Sequence, residues 1–168
     1  MAGQLVQVAT ETISSAVSTV TLIGTTTDDV YLLTLNNVNT SADCSVTLRF
    51  LVSGSADSSA NYDRALFNLR GDGAFTSSAT TNQTQFNLGS IGTGTQEQGN
   101  GKINIFNAND SSEYTFFTVE MSSRNNDSHL RGFQGGGVLT VAQATNGIRI
   151  INDGGNFTSG TFSLYKVV

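Results

Sequence analysis

The chain has 168 residues and a formal net charge of −5, with eight Lys and Arg against thirteen Asp and Glu. This length suits one domain with a core of its own, so we expect residues 1–168 to form a single domain. The acidic balance excludes the basic face that phosphates require, and it disfavours an anionic membrane surface. We therefore expect neither a nucleic-acid partner nor a membrane partner.

The beginning of the sequence, MAGQLVQVATETI, has neither the basic nor the apolar segment of a secretory leader. No run approaches the roughly 20 apolar residues of a membrane-spanning helix. The chain holds one cysteine, Cys44, so no disulfide can form within it. We expect synthesis and folding in a cytosol.

Apolar residues alternate along most of the chain, which indicates strands with one buried face. In SVTLRFLVS, for example, Val46, Leu48 and Phe50 share a face. Gly- and Asn-rich turns separate the runs, because these residues accept the positive φ of tight turns. The pattern predicts an all-β, antiparallel sandwich of about nine or ten strands. They lie near residues 4–9, 16–23, 29–37, 45–53, 84–89, 101–107, 113–122, 129–134, 146–151 and 161–167.

The segment NYDRALFNLRG fits this pattern poorly. Tyr62, Ala65, Leu66 and Leu69 have near-helical spacing. The sequence leaves open a single helical turn or an irregular strand here.

The last two strand-like runs flank the loop NDGGN in NGIRIINDGGNFTSGTFSLYKVV. We expect them to form a hairpin that closes the sandwich. Removal of the residues after Gly160 should then prevent folding.

Two strands are apolar on both faces, namely VYLLTL and YTFFTV. One interpretation is a sandwich core with a covering loop, and the other is a second face buried against another chain. We favour the second interpretation, since a strand wet on one side should alternate. The candidate interface residues are Tyr31, Leu33, Tyr114 and Phe116.

The sequence offers little catalytic chemistry, so we expect no enzyme and no cofactor. The only histidine, His129, stands beside Asp127 and Ser128, but a catalytic triad is assembled across a fold rather than from neighbours. One His and one Cys exclude a nitrogen and sulfur zinc site within one chain. We expect no catalytic, cofactor-binding or metal-binding residues.

Two short matches carry little weight. Arg70-Gly71-Asp72 is the tripeptide that integrins recognise, but three residues match close to chance. The run QGGGV lacks the Lys-Ser/Thr that follows the glycines of a phosphate-binding loop.

Longer stretches resemble a group of small structural proteins of tailed bacteriophages, common among phages of marine cyanobacteria. The resemblance is carried by SAVSTVTLIG, DVYLLTLNNV, VTLRFLVSGSADSSANYDRA, GKINIFNANDSSEYTFFTVEMSS, LRGFQGGGV and the closing NGIRIINDGGNFTSGTFSLYKV. It implies a virion protein with a jelly-roll β-sandwich, made in the bacterial host cytoplasm and usually trimeric. Its partners would be itself and other capsid or tail proteins.

The sequence shows no long shaft or coiled coil, which favours capsid decoration or a small fibre or appendage component. The alternative is a tail-fibre adsorption module that binds host surface carbohydrate. Loops 92–100 and 124–128 would then be the binding loops, and Tyr62 and Phe133 the candidate glycan contacts. The absence of Trp weakens this alternative.

Overall fold

The computed structural model describes residues 3–125, 127 and 129–168. These residues form thirteen strands and no helix. They are β1 (Leu5–Thr12), β2 (Thr19–Ile23), β3 (Tyr31–Thr40), β4 (Cys44–Val52), β5 (Ser55–Ala56), β6 (Tyr62–Arg70), β7 (Phe75–Gln83), β8 (Phe86–Ile91), β9 (Gly99–Phe106), β10 (Thr115–Arg124), β11 (Leu130–Leu139), β12 (Gly147–Asp153) and β13 (Phe157–Val167). The predicted all-β, antiparallel sandwich is confirmed, and each of the ten predicted ranges overlaps one strand.

The strands form two antiparallel sheets. The eight-stranded sheet has the order β1-β13-β3-β9-β10-β11-β6-β7. In the five-stranded sheet β12 lies between β2 and β4, while β8 and the two-residue β5 pair with the other side of β4. If β5, β6, β7, β10 and β11 are set aside, β1-β13-β3-β9 faces β2-β12-β4-β8. This order is compatible with a jelly roll, and β10, β11, β6 and β7 extend one of its sheets.

The core lies between the sheets and follows from the alternation in the sequence. Along β10 buried and exposed residues alternate without interruption from Thr115 to Arg124. The inward ring of Phe117 packs edge-on against Phe86 of β8, with ring centroids 4.4 Å apart, and against Phe50 of β4 at 5.7 Å. Aromatic pairs of this geometry add to the free energy gained by burial of the rings.

The glycine run of β11 serves this aromatic packing. A Cβ atom on Gly137 would lie 2.6 Å from a ring carbon of Phe86 and 2.7 Å from one of Phe117. Only a residue without a side chain lets both rings lie against the β11 backbone. The run QGGGV is therefore a packing feature within a strand.

The segment that the sequence left open, NYDRALFNLRG, forms the strand β6, whose pairing with β7 shifts register between Tyr62 and Arg64. It pairs with β11 from Tyr62 to Arg70 and with β7 on its other side. Strand β7, which the sequence analysis missed, completes this hairpin. The helical interpretation is wrong because pairing on both sides satisfies the backbone of β6, whereas a helical turn would leave β7 and one side of β11 unpaired.

The predicted C-terminal hairpin is also wrong. Strand β12 pairs with β2 and β4 in one sheet, and β13 pairs with β1 and β3 in the other. The loop Gly154–Asn156 thus crosses from sheet to sheet. Both strands nevertheless lie inside their sheets, and Phe162 and Leu164 of β13 are fully buried.

A chain truncated after Gly160 should not fold cooperatively. The truncation removes the part of β13 that joins β1 to β3, together with the buried Phe162 and Leu164. Circular dichroism with thermal and urea unfolding would measure the loss. A control truncated after Lys166 removes only partly exposed Val167 and Val168, and it should keep a cooperative transition. Cooperative unfolding of the chain that ends at Gly160 would contradict the central place of β13.

Substitution Gly137→Ala should lower the free energy of unfolding by about 1–3 kcal/mol, since the added methyl group meets two core rings. Chemical denaturation would measure the change. Gly132→Ala is the matched control on the same strand, because its Cβ would approach only the Leu69 side chain, at 3.3 Å. Equal losses from the two substitutions would contradict the packing role of Gly137.

Candidate functional site: an uncovered apolar sheet face

The outer face of the eight-stranded sheet changes character halfway across. One row of outward residues crosses the strands in register as Thr10, Ser163, Thr34, Lys102, Glu120, Gln134, Phe67 and Ser77. In the first half the hydroxyls bond to one another, with Thr10 Oγ1 2.9 Å from Ser163 Oγ. Lys102 and Glu120 follow as an ion pair 3.1 Å apart. Beyond this pair the outer face becomes apolar.

The apolar part lies on β10, β11, β6 and β7. We define the apolar face as the large outward side chains Phe67, Leu69, Phe75, Phe116 and Leu130. Phe75 is 67% exposed, Phe67 and Leu130 are each 60% exposed, and Phe116 is 47% exposed. Neighbouring exposed side chains of this size are typical of a surface that is covered by a partner.

Glycines cut grooves into the apolar face. Gly132 and Gly136 stand on the outward side of β11, one on each side of Gln134. An open groove of about 530 Å³ runs past Gly132, and another of about 510 Å³ runs past Gly136. The aromatic ring of Phe67 projects between them from β6. The face therefore offers both a projecting ring and recesses beside it.

The hairpin of β6 and β7 differs in polarity from the rest of the sheet. Its inner face, which turns toward the five-stranded sheet, buries Tyr62 and Leu66 but also carries the polar side chains of Arg64, Asn68 and Ser78. Its outer face carries the apolar Phe67 and Phe75. The edge strand β7 contains no charged residue and no proline, the usual devices that keep an edge from pairing.

Two of the four predicted interface residues do not lie on the surface of the chain. Tyr31 and Leu33 are fully buried in the chain's own core, which corrects the prediction that they contact a second copy. The Tyr31 hydroxyl donates to the Thr27 carbonyl oxygen at 3.1 Å, so its polar end is satisfied internally. Tyr114 is 44% exposed beside the start of β10, and Phe116 belongs to the apolar face.

The strand VYLLTL is apolar on both sides for a different reason than the one expected. Inward Leu33 and Leu35 fill the core, while outward Leu32 is shielded by its neighbours in the sheet. Strands inside a sheet can shield one another in this way. A second copy of the chain is therefore not needed to cover this strand.

The predicted glycan contacts are also separated. Tyr62 is buried, and its hydroxyl donates to the Asp57 carbonyl oxygen while it accepts from the Phe50 amide. Burial raises the pKa of Tyr62 well above its ordinary value. It therefore cannot stack on a sugar. The ring of Phe133 lies against Gly89, where an added Cβ would be only 2.4 Å away, and one side of it lines a cleft.

This cleft opens between the inner face of the β6–β7 hairpin and β8. We define the polar cleft by Arg64, Asn68, Ser78, Asn87 and Phe133, and its volume is about 190 Å³. Arg64 donates to the Asn87 carbonyl oxygen at 3.1 Å and to Ser78 Oγ at 3.2 Å. Phe133 also lines the groove past Gly132, but only in the polar cleft does it stand beside Arg64.

Charged side chains meet where the β6–β7 turn approaches the β10–β11 loop. Arg70 binds Asp72 through two bonds of 3.1 and 2.6 Å, and Arg131 forms an ion pair with Asp127. The tripeptide Arg70-Gly71-Asp72 is thus closed on itself, with its two charges paired. The bond from Arg70, followed by one from the Ala74 amide, lowers the pKa of Asp72 to about 2.

The side chains once considered for catalysis form no catalytic set in the described residues. His129 Nε2 lies 3.8 Å from Asp72, and Ser128 lies outside the described residues. The Cys44 thiol donates to Asn152 Oδ1 at 2.5 Å, and burial raises its pKa, which disfavours the thiolate. Within residues 3–125, 127 and 129–168, no three His, Cys, Asp or Glu side chains form a group that could hold a metal ion.

The predicted sugar-binding loops meet at one end of the molecule. The Gly92 amide donates to the Arg124 carbonyl oxygen at 3.0 Å, and the Glu97 carboxylate accepts from the Gly94 amide at 2.8 Å. In the second loop Asn126 and Ser128 lie outside the described residues. The first loop is closed by its own hydrogen bonds.

Sequence reasoning missed the main part of the apolar face, namely Phe67, Leu69 and Phe75. A signal for it was present. Ala65, Phe67 and Leu69 alternate with Leu66 and Asn68, which is strand periodicity. The partly helical spacing of Leu66 and Leu69 obscured it.

No family model, no curated protein and no solved structure matches this chain. The described part of the chain contains no helix that could span a membrane. What the chain does must therefore be inferred from its own surfaces.

Asp72 should titrate with a pKa of about 2, below its ordinary value of 3.8. Because the folded-state pKa is lowered, the ion pair stabilises the fold above about pH 4, and this contribution is lost as the pH falls through 2. Carboxyl-carbon NMR would measure the titration. Arg70→Gln should raise the Asp72 pKa, whereas Lys166→Gln should raise the pKa of Asp29, its own partner, and leave Asp72 unchanged. Titration of Asp72 near 3.8 in the unsubstituted chain would contradict the pairing.

Proposed function

We propose that this chain is a non-enzymatic structural protein of a bacteriophage particle surface, and that it works by assembling with copies of itself. Capsid decoration or a small fibre or appendage component fits this role. The resemblance of its sequence to small phage structural proteins supports the phage context. The exposed apolar side chains on the outer face of the β6–β7 hairpin and the neighbouring β11 are the observation that carries the assembly.

The physical reason is the cost of leaving Phe67, Phe75 and Leu130 in water. Burial of one such side chain is worth about 1.5–3 kcal/mol. These three side chains gain little of this within one chain, because they stand on the outer side of the sheet and stay at least 60% exposed. The free energy is recovered when the outer face meets a second apolar surface.

A second copy is the partner that best fits this face. The face carries projecting rings and glycine grooves side by side, so it contains both parts of an interlocking contact. It also lacks charged residues at its centre, with Lys102 and Glu120 at its border. An apolar centre with a polar border is the usual composition of a protein interface.

The resemblance implies a trimer, and association through several such faces would add avidity on a particle. The polar outer half of the same sheet, with its bonded Thr10 and Ser163, can remain in water. Only the outer face of the added strands β10, β11, β6 and β7 needs to be covered. The strands β1, β13, β3 and β9 would then carry these added strands without taking part in the contact.

Phe67→Ser should weaken self-association about 30-fold for each ring removed from a contact, which corresponds to about 2 kcal/mol. The ring is 60% exposed in the single chain, so folding should persist. Light scattering after size exclusion would measure the mass, and a trimer would have three times the 17.7 kDa of one chain.

Ile23→Ser is the matched control, since Ile23 is 54% exposed on β2 in the other sheet. It should leave the mass unchanged. A monomeric unsubstituted chain at high concentration, or equal effects of the two substitutions, would contradict assembly through the apolar face. Absence of the chain from purified particles of the phage that encodes it, measured by mass spectrometry, would contradict the virion role.

A further inference from the structure

The polar cleft contains a cation without an acidic partner. Arg64 is partly buried, and three of its N–H groups donate to Thr80 Oγ1, the Asn87 carbonyl oxygen and Ser78 Oγ. Every one of these acceptors is neutral. Among the described residues no carboxylate forms a salt bridge with Arg64. A guanidinium group has five N–H donors, so two remain for a ligand.

A partly buried cation without a counter-charge is costly, because burial removes water that would solvate the charge. The same burial lowers the pKa of Arg64. The planar, forked guanidinium group binds carboxylates and phosphates through two parallel hydrogen bonds. The cleft therefore has the charge and the donors for a carboxylate.

Apart from Leu66, Gly89 and Phe133, the remaining walls of the cleft are neutral and polar. The side chain of Asn68 lies in the wall of the cleft, and its Oδ1 is buried and accepts no hydrogen bond from the described residues. The hydroxyls of Ser45 and Ser78 and the amide of Asn87 stand around it. Groups of this kind bind ligand hydroxyls, which both donate and accept. On one side the ring of Phe133 supplies a flat apolar wall.

The volume of about 190 Å³ limits the size of the ligand. Drug-sized pockets occupy about 300–1,000 Å³, so this cleft suits a single small ring rather than an extended chain. One carboxylate, several hydroxyls and one apolar ring face are the features of a sugar acid.

We propose that the polar cleft binds a small hydroxylated carboxylate, a sugar acid, with Arg64 holding the carboxylate, the amides and hydroxyls holding the ring hydroxyls, and Phe133 packing on the ring. The site does not depend on self-assembly, because the cleft lies on the inner face of the β6–β7 hairpin and the apolar face on its outer side. A surface that carries acidic sugars would be one source of such a ligand.

The test is titration of the isotope-labelled chain with D-glucuronate, followed by the backbone amide resonances. Glucuronate should cause saturable shifts at Asn68, Ser78 and Gly89 in the millimolar range. D-glucose lacks the carboxylate, acetate lacks the hydroxylated ring and inorganic phosphate lacks both, so each should bind at least about tenfold more weakly. A loss of that size corresponds to about 1.4 kcal/mol. No saturable shift, shifts confined to other surfaces, or equal binding of phosphate would overturn the proposal.

Arg64→Lys should weaken glucuronate binding at least about tenfold, because it keeps the charge but loses the forked pair of donors. Arg149→Lys on β12, outside the cleft, should have no effect. Should Arg64→Lys fail to fold, Asn68→Ala tests the same cleft. Asn68 Oδ1 has no hydrogen-bond partner in the described part of the chain, so its removal breaks no bond there. Glucuronate affinity unchanged by Asn68→Ala would then overturn the proposal.

The self-assembly proposal can fail separately. Phe67→Ser should bind glucuronate as the unsubstituted chain does, even where it no longer associates. Loss of glucuronate binding in Phe67→Ser, with the fold intact, would contradict a site within one chain.

Discussion

The unequal width of the two sheets is the constraint on which the rest of the structure depends. Eight strands lie on one side of the core, while β2, β12, β4 and β8 with the short β5 lie on the other. Strand β8 is the last cover, and its Phe86 and Gly89 meet β10 and β11. Strand β6 still reaches this cover, since Tyr62 and Leu66 are buried and Arg64 donates to the Asn87 carbonyl oxygen of β8. The polar cleft opens beside these contacts, where the two sheets are not packed against each other.

Both candidate surfaces follow from this geometry. The inner side of the hairpin holds the polar cleft around Arg64, between β6, β7 and β8, and the outer side holds the apolar face around Phe67. The two sides of one hairpin can thus serve a small ligand and a protein partner independently. The glycines of β11 support both, since Gly137 admits the core rings and Gly132 and Gly136 open the outer grooves.

The charged groups contribute little to this architecture. The paired Arg70 and Asp72 hold one hairpin turn, and Lys166 with Asp29 joins the end of β13 to the preceding loop of β3, but these groups are exposed. Exposed pairs are worth little in free energy. The fold depends instead on backbone pairing and on the apolar core, as the low charged fraction of the chain would require.

The sequence by itself determined the all-β class and ten of the strands, because an alternating pattern has one stable outcome when one face is buried. It did not determine that β12 and β13 belong to different sheets, since a Gly- and Asn-rich loop can turn a hairpin or cross between sheets. It also misplaced Tyr31 and Leu33, because alternation tells which residues share a face but not what covers that face. Only the tertiary structure decided that, since coverage depends on which strands stand opposite one another, and strands far apart in the sequence supply that cover.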